Sequence, residues 1–112
     1  MDLSILDRMI IIKSILPESG TIDEIKLIIS IKNKIKLTEE EWDSIKISKT
    51  YGNIVEISNI TDDLIKRDSY YNLIEEEIIF LKKLTSNYNA NGWVTETSLS
   101  TVEYILNYST ND

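Results

Sequence analysis

Residues 15–45, ILPESGTIDEIKLIISIKNKIKLTEEEWDSI, hold the clearest helix start and stop signals in the chain. Pro17 and Gly20 are expected to end a first helix, because proline disfavours a helical residue before it and glycine accepts backbone angles that other residues avoid. Thr21 and Thr38 are each followed three residues later by a glutamate, which is the spacing of a capping box. Each threonine therefore predicts the start of a helix, the first over residues 22–36 and the second a short one from Glu39.

Hydrophobic periodicity on either side of this stretch predicts the remaining elements. Two apolar rows indicate a central helix over residues 2–16, capped by Asp2 or Ser4. β-Branched and aromatic residues around a Gly-Asn turn predict a hairpin at residues 45–58. A long helix is expected over residues 61–88, with a kink or restart at Asp68. A last helix is expected to begin at Thr95 or Ser98.

Length and composition predict one soluble domain over residues 1–112. A chain of 112 residues with 42% hydrophobic and 28% charged residues has the size and balance of a single globular unit. We expect a mainly α fold: a compact domain of about five helices with one small β-hairpin. Phe80 and Trp93 are expected in its core, Ile22 and Ile29 in the buried stripe of the second helix, and residues 109–112 are expected to fray.

The pattern from Leu16 to Glu41 resembles a group of small proteins encoded by tailed bacteriophages. The shared features are Leu-Pro, a glycine three residues later, an amphipathic helix, and an aliphatic residue before Thr-Glu-Glu-Glu; here they are Leu16, Pro17, Gly20, residues 22–36, Leu37, Thr38, Glu39, Glu40 and Glu41. The resemblance covers about a quarter of the chain and implies a phage or mobile-element origin with a largely helical fold. It carries no catalytic residues.

Charge is distributed unevenly and argues against direct binding of nucleic acid. The formal net charge is −7, and residues 51–112 hold ten acidic and four basic residues. Such a chain repels phosphates and attracts basic surfaces. Three lysines at 32, 34 and 36 make a weak basic footprint, and a helix-turn-helix in this region would place three glutamates at the start of its recognition helix.

The residue types present argue against most catalytic and metal-binding chemistry. Neither cysteine nor histidine occurs, which removes thiol nucleophiles, disulfides and the commonest general base. The glutamates at 39–41 are read as compensation of a helix dipole, and those at 75–77 as a solvated helix face or an acidic contact patch. We expect no cofactor and no enzymatic activity. No apolar run reaches the roughly 20 residues of a membrane span, so a cytoplasmic protein, in a bacterial host, is expected.

Aromatic residues are concentrated in the same acidic half, since eight of the nine follow position 50. Tyr70 and Tyr71 are adjacent and cannot share one face of a helix, and Tyr104 lies off the apolar row of the last helix. Exposed tyrosine beside carboxylates is a common composition for protein binding, although covering the core edge explains the tyrosines equally well. The expected partner-binding residues are Asp62, Asp63, Asp68, Tyr70, Glu75, Glu76 and Tyr104.

The resulting functional hypothesis is a small, non-enzymatic interaction protein. Its partner would be a protein with a basic surface, such as a nucleic-acid-binding host factor or a CRISPR-type immune effector that it inhibits. A virion or assembly component is the first alternative, with the two apolar rows of the first helix buried in a homo-oligomer. A carboxylate-dependent enzyme is the second alternative.

Overall fold

The computed structural model describes residues 1–52 and 54–109, in which six helices and two small antiparallel sheets are formed. In chain order the elements are β1 (Asp2–Leu3), α1 (Ile5–Ile10), α2 (Ile22–Ile35), α3 (Glu39–Ser44), β2 (Ile47–Tyr51), β3 (Ile54–Ile57), α4 (Asp62–Ile65), β4 (Ser69–Tyr70), α5 (Glu75–Ala90) and α6 (Glu96–Asn107). A π-helical turn, Ile11–Ile15, continues α1. The prediction of a mainly α fold with a small β-hairpin is confirmed.

Helix α1 and the π-helical turn lie at the centre of the core. α1 packs against α4 and α6, and the π-helical turn packs against α5 and β3. The predicted helix over residues 2–16 is wrong at its start, because the first residues pair with β4 as a strand and Ser4 then caps α1. The fully buried side chains of the core include Met9, Ile10, Ile11, Ile31, Ile35, Leu81 and Ile105.

Both predicted capping boxes are present. The amides of Thr21 and Thr38 each donate to the glutamate three residues later at 2.9 Å, so α2 and α3 begin where the sequence predicts. The buried stripe of α2 is narrower than expected, since the side chains of Ile22 and Ile29 are 76% and 53% exposed. α2 lies at the surface and packs against α5, so only the face that carries Ile28, Ile31 and Ile35 is covered.

The hairpin is confirmed within residues 45–58. Thr50 lies opposite Val55, and Gly52 has φ 58°, a left-handed value that favours glycine. Val55 is buried, whereas every side chain of β2 is exposed. The ribbon is therefore held to the helices through β3.

The long helix predicted over residues 61–88 is wrong, because the chain forms α4, then β4, then α5. The helix is interrupted because Tyr70 lies opposite Asp2 in the β1–β4 ladder, which requires an extended backbone at this position. The predicted restart at Asp68 lies close to the actual break. Glu77 consequently lies in the first turn of α5, where it is fully buried, and not on a solvated face as predicted.

Of the two aromatic residues predicted in the core, Phe80 lies within α5 and Trp93 lies in the loop between α5 and α6. Phe80 is buried as predicted, but Trp93 is 38% exposed and the prediction of a core position is wrong. The chain turns at Gly92, where φ is 72°, and this turn leaves the Trp93 ring at the edge of the core. Of the residues predicted to fray, 109–112, all but Ser109 lie outside the described residues.

Candidate functional site

The predicted partner-binding residues fall into one connected region and one separate pair. Tyr70 is 67% exposed on β4, directly opposite Asp2. Tyr104 on α6 is half-buried: burial raises the pKa of its phenol, and the nearby carboxylate of Asp2 raises it further. Asp2 therefore links the two tyrosines, which belong to elements far apart in sequence.

A small polar cleft extends this region towards α4. It measures about 230 Å³, and both Asp63 and Asp68 line it together with Lys66 and Ser69. Ser69 pairs with Leu3 in the β1–β4 ladder, so the cleft adjoins the strand that carries Tyr70. Asp62 is exposed in the first turn of α4. We call the set Asp2, Asp62, Asp63, Asp68, Tyr70 and Tyr104 the acidic surface.

Glu75 and Glu76 were predicted in the same surface, and the structure shows them exposed in the first turn of α5. None of the contacts that join the acidic surface reaches them. They lie at the start of a helix, where negative charge is favoured by the helix dipole.

Arg67, which contacts the acidic surface at Tyr104, is bound internally. Arg67 donates from Nε to Asp7 at 2.8 Å and from Nη2 to the hydroxyl and carbonyl of Ser100. Its guanidinium also stacks over the Tyr104 ring, 4.2 Å from the centroid. The positive charge of Arg67 is therefore neutralised by a carboxylate inside the fold.

Asp7 is a buried acid that the sequence analysis missed. Its side chain accepts hydrogen bonds from the Ser4 amide at 3.0 Å and from the Thr101 hydroxyl at 2.6 Å, in addition to those from Arg67. The signal was present in the sequence, because Asp7 lies three residues after Ser4 at capping-box spacing. This network joins α1 to α6 and to the segment after α4.

Arg8 is also buried, at 4% exposure, and forms a second ion pair. Nη1 and Nη2 donate to Glu41 at 2.6 and 3.0 Å; Nη2 also donates to the carbonyl of Lys36, and Nε donates to that of Ile35. The hydrogen bond from Arg8 is the largest cause that lowers the pKa of Glu41. Arg8 thereby ties α1 to the end of α2 and the start of α3.

Glu77 forms the third internal ion pair, with Lys34, and so joins α5 to α2. It accepts hydrogen bonds from the Ser30 hydroxyl at 2.5 Å, from Lys34 at 2.6 Å and from the Ile74 amide at 2.9 Å. Burial acts to raise the pKa of Glu77, but these three hydrogen bonds outweigh it and lower the pKa overall. The carboxylate is therefore charged at neutral pH.

The described residues were compared with the requirements of a metal site and of a membrane-spanning helix. No group of three or more acidic side chains among residues 1–52 and 54–109 is placed to hold a metal ion. Within the same residues, no helix has both the length and the apolar character needed to cross a membrane.

Comparison of the chain with protein-family models, with curated proteins and with solved structures gives no match.

Proposed function

We propose that this protein is a non-enzymatic interaction module whose acidic surface binds a basic protein. The proposal is supported mainly by the different exposure of the basic and acidic groups in this region. Arg67, whose guanidinium stacks over Tyr104, is paired with the buried Asp7, while Asp62, Asp63 and Asp68 are exposed. The region thus presents negative charge outward with little compensation.

The second base of the region compensates only weakly. Lys66 lies 3.8 Å from Asp63, and their side chains are 60% and 89% exposed. Exposed pairs of this kind contribute only about 0–1 kcal/mol, so a partner can replace Lys66 at little cost. Asp62 and Asp68 remain as exposed carboxylates on the same segment.

Tyr70 supplies the apolar contact that such a surface needs. Its side chain is 67% exposed, although it is held on a strand paired with β1. Tyrosine is enriched among residues that dominate interface energetics, because it buries a large ring with few rotatable bonds. A fixed backbone beneath an exposed ring limits the entropy lost on binding.

The buried carboxylates argue for this function over a carboxylate-dependent enzyme. A general acid of a hydrolase needs a pKa raised by burial and weak pairing. Glu77 has a lowered pKa, and it and Asp7 are each bound by a cation and by further hydrogen-bond donors. These groups join helices to one another, and Glu77 and Asp7 already accept three and four hydrogen bonds.

The apolar rows of the first helix no longer argue for a homo-oligomer. Leu6, Met9 and Ile10 are buried inside the monomer, because α1 is surrounded by other helices and by the ladder. These apolar side chains are therefore buried in the core of the monomer and are not available to form a self-interface. A virion or assembly role loses its specific support, and a heteromeric partner is the preferred proposal.

For the partner we propose a basic, nucleic-acid-binding protein of a bacterial host, such as a CRISPR-type immune effector. Proteins that bind phosphate backbones carry surfaces rich in lysine and arginine, which an exposed carboxylate array can occupy in place of nucleic acid. The resemblance to phage proteins is consistent with an inhibitor that acts in the host cytoplasm against such a factor.

The test compares the chain with a surface variant that carries Asp62→Asn, Asp63→Asn, Asp68→Asn and Tyr70→Ala. Nucleic-acid-binding effectors are purified and assayed for binding by calorimetry at increasing salt, with and without their own nucleic acid. We expect one class to bind the native chain, to lose affinity as salt rises, and to be released by nucleic acid.

A matched control removes three carboxylates elsewhere through Asp23→Asn, Glu39→Gln and Glu40→Gln, all exposed in the native chain. The control should keep most of the affinity that the surface variant loses. Equal losses in both variants, or a complex that is indifferent to salt and nucleic acid, would contradict the proposal.

A further inference from the structure

A small apolar cleft lies apart from the acidic surface, between the π-helical turn and α5. Its volume is about 240 Å³. The lining includes Ser14, Pro17, Leu84, Asn87, Tyr88 and Trp93. A cavity of about 150 Å³ holds a benzene molecule, whereas pockets for drug-sized ligands begin near 300 Å³. The cleft therefore has room for one ring with a small substituent.

Ser14 gives this cleft an unsatisfied polar group. Its side chain is 3% exposed, and among the described residues its hydroxyl is the one buried side-chain polar atom without a hydrogen-bond partner. Burying a hydroxyl without a partner is unfavourable, and native structures rarely keep such a group without a reason. Because the Ser14 hydroxyl has no bond to lose, rotation about χ1 can turn it towards a ligand in the cleft.

The backbone at this position is also unusual. The amide of Leu16 donates to the carbonyl of Ile11 at 2.9 Å, a spacing of five residues that defines a π-helical turn. Such turns are rare and are frequently found at functional sites. Ser14 belongs to this turn, so the wide turn and the unpaired hydroxyl occur together in the wall of one cleft.

The opposite wall is aromatic. The rings of Tyr88 and Trp93 meet edge to face, with centroids 6.0 Å apart. The Tyr88 hydroxyl already bonds to Ser98 at 3.3 Å, so the rings contribute mainly apolar and edge-to-face contacts to an occupant. Trp93, 38% exposed, borders the cleft on its solvent side.

From these three observations we infer that the cleft binds a small aromatic molecule with one hydroxyl group, of the phenol class. The ring of this molecule packs against Leu84 and Trp93, and its hydroxyl forms a hydrogen bond with the hydroxyl of Ser14. This site is independent of the acidic surface, and either can be present without the other.

The experiment uses phenol as the probe and toluene as a probe of similar shape without a hydroxyl. Both are titrated into ¹⁵N-labelled protein while the indole signals of Trp42 and Trp93 are followed, with Trp42→Phe used for assignment. We expect phenol to shift the Trp93 signal saturably without moving that of Trp42. Toluene should bind about tenfold more weakly, which is the value of one hydrogen bond.

Ser14→Ala is the decisive variant, because it removes only the unpaired hydroxyl and is expected to fold normally. It should reduce phenol binding to the level of toluene, while Ser86→Ala, on the exposed side of α5, should leave the preference for phenol intact. The inference is overturned if neither probe moves Trp93, in which case water alone satisfies Ser14. It is also overturned if the preference for phenol survives in Ser14→Ala.

Discussion

Arg67 donates from Nε to Oδ2 of Asp7 at 2.8 Å, across 60 residues of sequence. The same carboxylate accepts from Thr101, 94 residues away, so one buried side chain connects the beginning, middle and end of the described chain. The bond also pairs the positive charge of Arg67, which lies beside the acidic surface, with an internal carboxylate. Stability and the proposed function thus depend on the same ion pair.

Replacing Asp7 by asparagine should strongly destabilise the fold. The variant leaves Arg67 without its counter-charge. It also replaces one carboxylate oxygen by an NH2 group, which cannot accept the hydrogen bonds that Ser4, Arg67 and Thr101 donate. Removing one partner of a buried ion pair costs about 3–5 kcal/mol, and we expect about 3 kcal/mol because Arg67 keeps some access to solvent. Urea denaturation followed by circular dichroism measures this loss.

Asp63→Asn is the matched control, since it breaks the exposed pair with Lys66 and should change the free energy of unfolding by less than about 0.5 kcal/mol. A loss below 1 kcal/mol in Asp7→Asn would show that the network adds little to stability.

Arg8→Lys should also be destabilising, although it keeps the charge. The guanidinium of Arg8 bonds to Glu41 with two nitrogens and to the carbonyls of Ile35 and Lys36, a fork that one ammonium group cannot reproduce. Each lost bond to a charged group is worth about 1.5–3 kcal/mol, so we expect a loss of about 2–4 kcal/mol. Thermal unfolding provides the measurement.

Lys26→Arg, on the exposed face of α2, is the control for the opposite exchange and should have no effect. An unchanged melting temperature in Arg8→Lys would mean that the point charge alone holds α1 to α3.

Local signals explain what the sequence predicts correctly. The capping boxes at Thr21 and Thr38 involve groups three residues apart, so their partners can be identified from spacing alone. Phe80, a large apolar side chain that was expected in the core, is also buried.

The errors arise where distant segments decide the outcome. Nothing near Tyr70 in the sequence reveals that its backbone pairs with Asp2, and this pairing replaces a predicted helix by a strand. The burial of Glu77 is also non-local, because it requires Ser30 and Lys34 from α2. In the candidate site, exposure of the carboxylates was predictable from composition, whereas the neutralisation of Arg67 was not.

The stability of the protein should fall in acid partly through Glu77. Its pKa is lowered below the ordinary value of 4.5 in the folded state, so the folded state binds fewer protons than the unfolded state in that range. The contribution of Glu77 is therefore complete above about pH 4.5 and is lost as the pH falls through the lowered pKa. Urea unfolding between pH 7 and pH 3 measures the slope.

Glu77→Gln should be less stable than the native protein at pH 7 and should show a shallower loss of stability in acid. Glu75→Gln, in the same helical turn but exposed, controls for the removal of one negative charge. If Glu77→Gln and the native protein lose stability in parallel between pH 7 and pH 3, the ion pair with Lys34 is not the source of the acid sensitivity.

Tyr70→Ala separates binding from folding. The Tyr70 side chain is 67% exposed, so its truncation should change the free energy of unfolding by less than about 0.5 kcal/mol. In a complex with a basic partner the ring would become buried, and loss of such an anchor typically costs about 1–2 kcal/mol or more, which is roughly a tenfold weaker affinity. Calorimetric titration of a bound effector measures the affinity.

Tyr88→Ala serves as the comparison, because it is expected to lower the stability of the fold without changing the affinity for the effector. Tyr88 is 2% exposed, so the variant should lose about 3–5 kcal/mol of stability through the cavity that it leaves. Where it remains folded at low temperature, it should bind the effector as the native chain does, because the ring lies inside the core. If Tyr70→Ala binds as tightly as the native protein, the tyrosine is not an anchor and the carboxylates alone must account for any complex.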